Sequence, residues 1–440
     1  MVTSYCYNII DPNDKPIDKY FQELSDINFD LIIIDELFNP CGYLLINLLR
    51  KKFSDKPPPV VVYSSTCKQT RMSMSLNNIP IPYSHVSHMG SMSILTDKLT
   101  FWQRVQTLLS YLIGYLGDWI YYYVMQRNLV HRFYPDLTDV SLRSSMAQPV
   151  FQFYCIPKFF DLPQPLAPNH FYMGGLQLNF TFDSAENSPD VMEPDLQAKI
   201  SKNEKGFILV ALGHWTDFEY CTAEIRNEFG GALNHAAGLG YLIIWKYAGP
   251  KVENAHENVH FANWLPQRQL LAHPKCKLLI THGGCNSVTE AIFNGVPVVV
   301  TPLFADQGDA AARIVTKNLG VVVQKSRLGS MDVIKNAILE VLTNETFAIN
   351  SKKFRKLFVN VENQPSKLTV SQQTIFWTDF LAKYGRSLEK KNFLTIRRFG
   401  HHDQNYWFFS FLKYWNIDSI LCLIFLPLLI LKVFLSFLGF

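Results

Sequence analysis

The densest chemistry in this chain lies between residues 264 and 307. Residues 278–290 read LLITHGGCNSVTE. An apolar run ends at Thr281, two glycines follow, and helical spacing resumes near Ser287. A strand that turns tightly into a helix presents free backbone N–H groups and the positive end of the helix dipole. That is an anion site, and its size suits a diphosphate. The glycines let the backbone approach the anion closely, His282 adds a ring donor and Ser287 a hydroxyl. Ser287 and Glu290 also fit the spacing of a capping box, so these residues alone leave ligand binding and local capping both open. Flanking residues add to the pattern. Trp264 precedes a proline turn at the end of an apolar run, where an indole can stack on a pyrimidine base. Downstream, residues 296–301 (VPVVVT) form another run, followed by Asp306 and Gln307, whose side chains suit sugar hydroxyls.

Such a site needs a sheet whose strands all end on the same side. Residues 207–212, 240–245, 259–263, 277–281 and 296–301 are short apolar runs separated by stretches of helical length. That alternation predicts a doubly wound α/β domain. The first half repeats the theme. Residues 29–35 (FDLIIID) and 57–65 read as buried parallel strands, with helical spacing over 42–53 between them. Residues 101–126 carry many Leu and Tyr with polar interruptions, and predict an amphipathic helical pair at a membrane or cleft. The polar, acidic stretch 179–195 reads as the linker between two domains. Two such domains place a ligand cleft at the carboxyl ends of their strands.

The composition narrows the partners. Of 440 residues, 48% are hydrophobic and only 18% charged, which points to a membrane element or large apolar clefts. The net charge is +4, without a basic block interleaved with aromatics, so nucleic acid is not an expected partner. The eight cysteines form no CxxC pair, which argues against zinc and for mostly buried free thiols. Residues 420–440 (ILCLIFLPLLILKVFLSFLGF) carry a single charge, Lys432, and as a helix would span about 30 Å. An aromatic belt precedes them, as expected of a transmembrane anchor. The N-terminus has neither the basic nor the apolar region of a signal peptide. Asn179 and Asn344 begin glycosylation sequons that suit a lumenal body.

Taken in order, Trp264 and Gln267, then His282, Gly283, Gly284, Asn286, Ser287 and Glu290, then Pro297, then Asp306 and Gln307, resemble the signature of the UDP-glycosyltransferases. The closest resemblance is to the animal membrane-bound branch that includes the UDP-glucuronosyltransferases. The likeness extends to residues 29–42, 162–176 and 374–383, so it covers nearly the whole chain. It implies a GT-B fold: two facing Rossmann-like doubly wound domains with a cleft, plus a C-terminal transmembrane helix. The implied divisions are an incomplete acceptor domain at 1–185 and a UDP-sugar-binding domain at 196–365. A return helix and juxtamembrane segment at 366–415 and an anchor at 418–440 complete them.

The resemblance also implies roles. Trp264 stacks on uracil and Gln267 holds base and ribose. His282, Gly284, Asn286 and Ser287 meet the diphosphate, Glu290 accepts from the ribose hydroxyls, and Asp306 and Gln307 contact the donor sugar. The implied activity is inverting transfer of a hexose, glucuronate or glucose, to a small lipophilic hydroxyl acceptor, with no metal and no cofactor. Membrane association and homo- or hetero-oligomers are the other implied partners. Such transfer needs a base for the acceptor hydroxyl, and the family uses a His–Asp dyad. Asp35 matches the Asp; a strand-end carboxylate can instead serve only as a helix cap.

Two features depart from the family pattern. The family's His precedes the Asp, and none of the 34 residues before Asp35 is His. His85 and His88 follow Asp35, in a different loop. His214 stands where the family has a small hydroxyl residue. The chain therefore reads as an N-terminally shortened member. Two expectations follow: a working transferase, or a donor-binding chain without catalysis that modulates full-length partners. Topology also divides. A sole C-terminal span without a signal peptide reads as a tail anchor with a cytosolic body. The family and the sequons place the body in the endoplasmic reticulum lumen, which is the favoured reading.

Overall fold

A computed structural model describes residues 16–36, 39–53, 55–66, 98–131, 142, 150–163, 169–176, 178, 192–213, 218–250, 252, 254–362, 368–391 and 425. The expected anchor (apart from Phe425), His85, His88, His214, Asn179 and most of the linker lie outside these residues. Among the described residues no helix is long and apolar enough to cross a membrane.

Two parallel sheets organise the chain. The first holds β1 (Ile32–Asp35), β2 (Val60–Ser64), β3 (Phe151–Tyr154) and β4 (His170–Tyr172), in that order. Helix α1 (Pro16–Ser25) precedes β1, and α2 (Pro40–Lys52) crosses from β1 to β2. Burial on both faces explains why VVVYS reads as a continuous apolar run rather than an alternating one. The second sheet is built from β5 (Phe207–Ala211), β6 (Leu242–Lys246), β7 (Val259–Ala262), β8 (Cys276–Thr281), β9 (Val298–Val300) and β10 (Gly320–Val322). Its strand order is β10-β9-β8-β5-β6-β7, parallel throughout. The chain starts in the middle at β5, winds outward to β7, then returns to the other side at β8. The reversal between β5 and β8 is the topological switch point, where open α/β sheets bind ligands. Three strands, β3, β4 and β10, were absent from the sequence expectation. They have only 4, 3 and 3 residues, too short for a period to show.

Residues 101–126 differ from expectation. They form one continuous helix, α3 (Phe101–Met125), opened by a capping box between Thr100 and Gln103 rather than a helical pair. Its C-terminal end packs through Met125, Tyr121 and Tyr122 on the first lobe. Much of the rest is exposed apolar surface, including Trp102, Leu109, Leu112, Ile113 and Leu116.

Helices cover the second sheet. Those used below are α4 (Pro194–Lys202), α5 (Ala223–Gly238), α6 (Gln267–Ala272), α7 (Cys285–Asn294) and α8 (Gln307–Thr316), followed by α9 (Met331–Thr343) and α10 (Glu345–Glu362). The next helix, α11 (Val370–Lys391), packs back on the first sheet. Trp377 stacks on Phe151 with ring centroids 4.8 Å apart, and the Arg386 guanidinium donates to the Phe29 carbonyl at 2.6 Å. Among the described cysteines, Cys155 and Cys285 are buried free thiols, Cys221 and Cys276 are free and half-buried, and Cys41 is disulfide-bonded.

Candidate functional site

The loop after β8 builds the floor of the site. Gly283 sits at φ 91°, a left-handed conformation open to glycine. A Cβ there would lie 2.8 Å from Val300 Cγ1 and 3.3 Å from the Gln307 carbonyl. A Cβ on Gly284 would lie 2.7 Å from the His282 ring. The two glycines therefore let β8, β9 and the start of α8 close on one another. Helix α7 begins at Cys285 with Gly284 as N-cap and no side-chain cap. The expected start at Ser287, and the capping box with it, are corrected here. Ser287 and Glu290 lie inside the helix and turn to another partner.

That partner is Gln267, the first residue of α6. Its Nε2 donates to Ser287 Oγ at 3.1 Å and to Glu290 Oε2 at 2.7 Å. Glu290 is buried, and burial raises its carboxyl pKa while the Gln267 hydrogen bond opposes that. Three residues far apart in sequence thus form one bonded group. Trp264, three residues earlier, is 65% exposed. An indole left in the open beside a buried polar group offers a flat face rather than core packing.

A cation unread in the sequence completes this side. Lys246, the last residue of β6, sits over the Trp264 ring at 5.0 Å and donates to the Gly213 carbonyl at 3.3 Å. Gly213 is at φ 89°, and a Cβ on it would lie 2.6 Å from His282. The loop after β5 and the loop after β8 therefore touch at the switch point. Burial lowers the His282 pKa to about 4, with Lys246 adding to it, so the ring is neutral at pH 7. Lys246 had only one sequence signal, a lysine at the end of an apolar run.

Asp306 and Gln307 stand at the start of α8, Asp306 as its N-cap. Both are buried. Gln307 Oε1 accepts from the backbone N–H of Leu303 at 2.8 Å and of Phe304 at 3.0 Å. Its carbonyl thus holds the loop in which Ala305 takes φ 55°.

Asp35 ends β1 on the other sheet. The helix that follows is capped by Asn39, whose Oδ1 accepts from the Gly42 N–H at 2.9 Å. Asn39, not Asp35, is therefore the N-cap of that helix. Its link to the second lobe runs through Cys155. There a hydrogen bond with Cys285 draws the thiol pKa down to about 7, burial opposes it, and Tyr63 adds to it. The carboxylates of Asp306 and Asp35 both push it back up. One thiol thus feels both the strand-end carboxylate of the first sheet and the α8 carboxylate of the second. Among the described residues no three His, Cys, Asp or Glu side chains group to hold a metal.

This geometry has relatives. A family model described as UDP-glucoronosyl and UDP-glucosyl transferase matches residues 1–390. The chain is 28% identical over 365 residues to human 2-hydroxyacylsphingosine 1-beta-galactosyltransferase, covering 82% of this chain and 61% of that protein. It is 31% identical over 383 residues to mouse UDP-glucuronosyltransferase 3A1, covering 84% and 65%. The chain thus spans less than two thirds of the length of these relatives. Among solved structures, the glycotransferase of kitacinnamycin superposes with a TM-score of 0.52 at 14% identity, covering 82% of this chain and 79% of that one. The spinosyn forosaminyltransferase SpnP gives 0.52 at 15%, covering 83% and 79%. At such identities the superpositions speak for the fold.

Proposed function

The chain belongs to the UDP-glucoronosyl and UDP-glucosyl transferase family and has the GT-B fold, and from that premise we propose that it takes a hexose, glucose or glucuronate, from a UDP-sugar to a small lipophilic hydroxyl acceptor with inversion. The observation that carries the donor half is the bonded group of Gln267, Ser287 and Glu290 beside the exposed Trp264. In this reading uracil stacks on Trp264 and the ribose hydroxyls donate to Glu290. Gln267 holds base and ribose, and orients the Glu290 carboxylate through its amide.

The diphosphate meets the free N–H groups at the start of α7, around Gly284, Asn286 and Ser287. Neutral His282 donates to it and Lys246 supplies positive charge. These groups stabilise the charge that grows on UDP as the sugar leaves, where fixed dipoles act most strongly. No metal or cofactor enters the reading. Asp306 and Gln307 face the donor sugar. Asp35 is the carboxylate half of a dyad: it would orient and stabilise a base histidine that takes the acceptor proton, and the 34 residues before it supply no such histidine. The decisive experiment is calorimetric titration with UDP, followed by transfer assays with UDP-glucose and UDP-glucuronate on a lipophilic phenol. Binding of UDP at micromolar concentration is expected. Absence of binding at millimolar UDP would remove the donor site from the proposal.

The apolar face of α3, with Ile113 71% exposed, supports membrane contact as a second element of the reading, in the endoplasmic reticulum lumen. Co-sedimentation with phospholipid vesicles checks it. The reading requires binding that drops in the double variant I113S/L116S, and equal binding by both proteins would end it.

A further inference from the structure

The segment joining β3 to β4 belongs to the first lobe by connectivity and to the second by packing. Tyr154, Cys155, Ile156 and Phe160 are part of the apolar core beneath the second sheet. Two polar anchors then fix the segment to two helices of that lobe. At the first, Cys285 Sγ donates to the Cys155 carbonyl at 2.9 Å, and Cys155 Sγ donates to Asn286 Oδ1 at 3.5 Å. Both partners lie at the start of α7.

The second anchor is an ion pair. Asp161 Oδ1 accepts from Arg313 Nε at 3.0 Å and from Arg313 Nη2 at 2.6 Å. The same oxygen takes the Leu162 N–H at 2.8 Å, and Oδ2 takes the Tyr172 hydroxyl at 2.8 Å. Arg313 Nη1 donates to the Asp309 carbonyl at 2.9 Å, within its own helix. The two side chains are 0% and 2% exposed.

A buried ion pair is a weak source of stability, because desolvation offsets its attraction. Its geometry is directional, since two N–H groups of one planar guanidinium converge on a single carboxylate oxygen whose partner oxygen is held by Tyr172. Arg313 lies on α8, the helix that opens with Asp306 and Gln307. Asp306 is bonded into that helix, accepting from the Asp309 N–H at 2.9 Å and the Ala310 N–H at 3.1 Å. Any shift of α8 relative to the first lobe pulls Arg313 from Asp161 and strands both charges out of water.

We propose that Asp161 and Arg313 are positioning residues for the donor sugar, locking α8 to the first lobe so that Asp306 and Gln307 stand at a fixed place across from Asp35. The proposal rests on the reading of Asp306 and Gln307 as donor-sugar residues. Sealed from solvent, the pair acts through α8. The nucleotide end of the site is held by α6 and α7, helices other than the one that carries Arg313. Loss of the pair therefore weakens the grip on the sugar and leaves the grip on UDP.

The test is a comparison of dissociation constants for UDP and UDP-glucose in wild type, D161N, R313K and D306N. D161N is expected to weaken UDP-glucose by ~10-fold and UDP by less than ~2-fold. R313K, which keeps the charge and loses the fork, is expected to fall between D161N and wild type. Should D161N fail to fold, R313K carries the comparison. Equal weakening of both ligands, or none, would overturn the proposal, because a role in stability alone does not separate them. D306N isolates the underlying reading. If D306N leaves UDP-glucose binding intact, Asp306 is not a donor-sugar residue. If D306N weakens it while D161N and R313K do not, only the positioning role fails.

Discussion

The two lobes are built on the same plan and divide the work unequally. The second gathers Lys246, Trp264, Gln267, His282, Ser287, Glu290, Asp306 and Gln307 around one switch point. The first contributes Asp35 at a strand end and a connector buried in its neighbour's core. A six-stranded parallel sheet with a central reversal brings many loops to one place. Among the described residues the four strands of the first sheet run in sequential order, β1-β2-β3-β4, without such a reversal. In the proposed reading ligand recognition therefore concentrates in the second lobe, while the first supplies Asp35, a charge that acts on chemistry rather than binding.

The sharpest way to break this division is Asp35→Asn. It is expected to lower kcat by ~10⁴-fold, the scale seen when a dyad carboxylate is lost, with the UDP dissociation constant unchanged. Weakened UDP binding in that variant would show that the first lobe also holds the nucleotide.

The second prediction concerns acid. His282 is neutral in the folded protein down to about pH 4, against an ordinary value of 6.5. Below pH 6.5 the unfolded chain takes up a proton that the folded chain refuses, so stability falls between pH 6.5 and 4 and is flat in this respect above it. The full difference is roughly 3 kcal/mol for this group. Melting temperatures of wild type and His282→Gln across that window should diverge above pH 5 and converge toward pH 4. Parallel curves would mean that His282 is not held neutral by its surroundings.

Glu290→Ala removes the proposed acceptor for the ribose and leaves the Gln267 amide without its carboxylate. UDP binding is expected to weaken by ~30-fold, on the scale of about 2 kcal/mol for a charged hydrogen bond. Gln267→Ala should lose part of the same amount, and the double variant little more than Glu290→Ala, since the two share one network. Additive losses would separate them.

The smallest effect falls at the rim. Trp264→Ala is expected to weaken UDP by ~10-fold through lost stacking, while the melting temperature barely moves, because the ring is 65% exposed and packs on little. A large drop in melting temperature would make Trp264 a packing residue.

Much of the second lobe could be read from the chain. Residues such as FILVA and the LLIT end of β8 are buried on both faces of a parallel sheet, so their apolar runs are continuous and visible. The Gly283–Gly284 turn was legible because a left-handed φ and a contact within 3 Å of a neighbour leave room for nothing larger. The start of α7 was misplaced by two residues, since Ser287 and Glu290 mimic a capping box while bonding Gln267 instead. The residues of 101–126 were read as helical but not as one helix, because local spacing does not reveal where a helix stays continuous through Gly114 and Gly117.

What the sequence determined by itself was therefore local: which runs are strands, where a helix opens, and which residue types could meet a diphosphate, a base and a ribose. Such features depend on neighbours within a turn or a strand, and the residue order states those directly. The tertiary structure alone decided the rest. It brought Lys246 over Trp264, joined Gln267 to Glu290, and paired Asp161 with Arg313 across 152 positions of chain. A buried Asp and a buried Arg look like any surface pair in sequence. Only the packing of two lobes takes both out of water and gives their bond a direction.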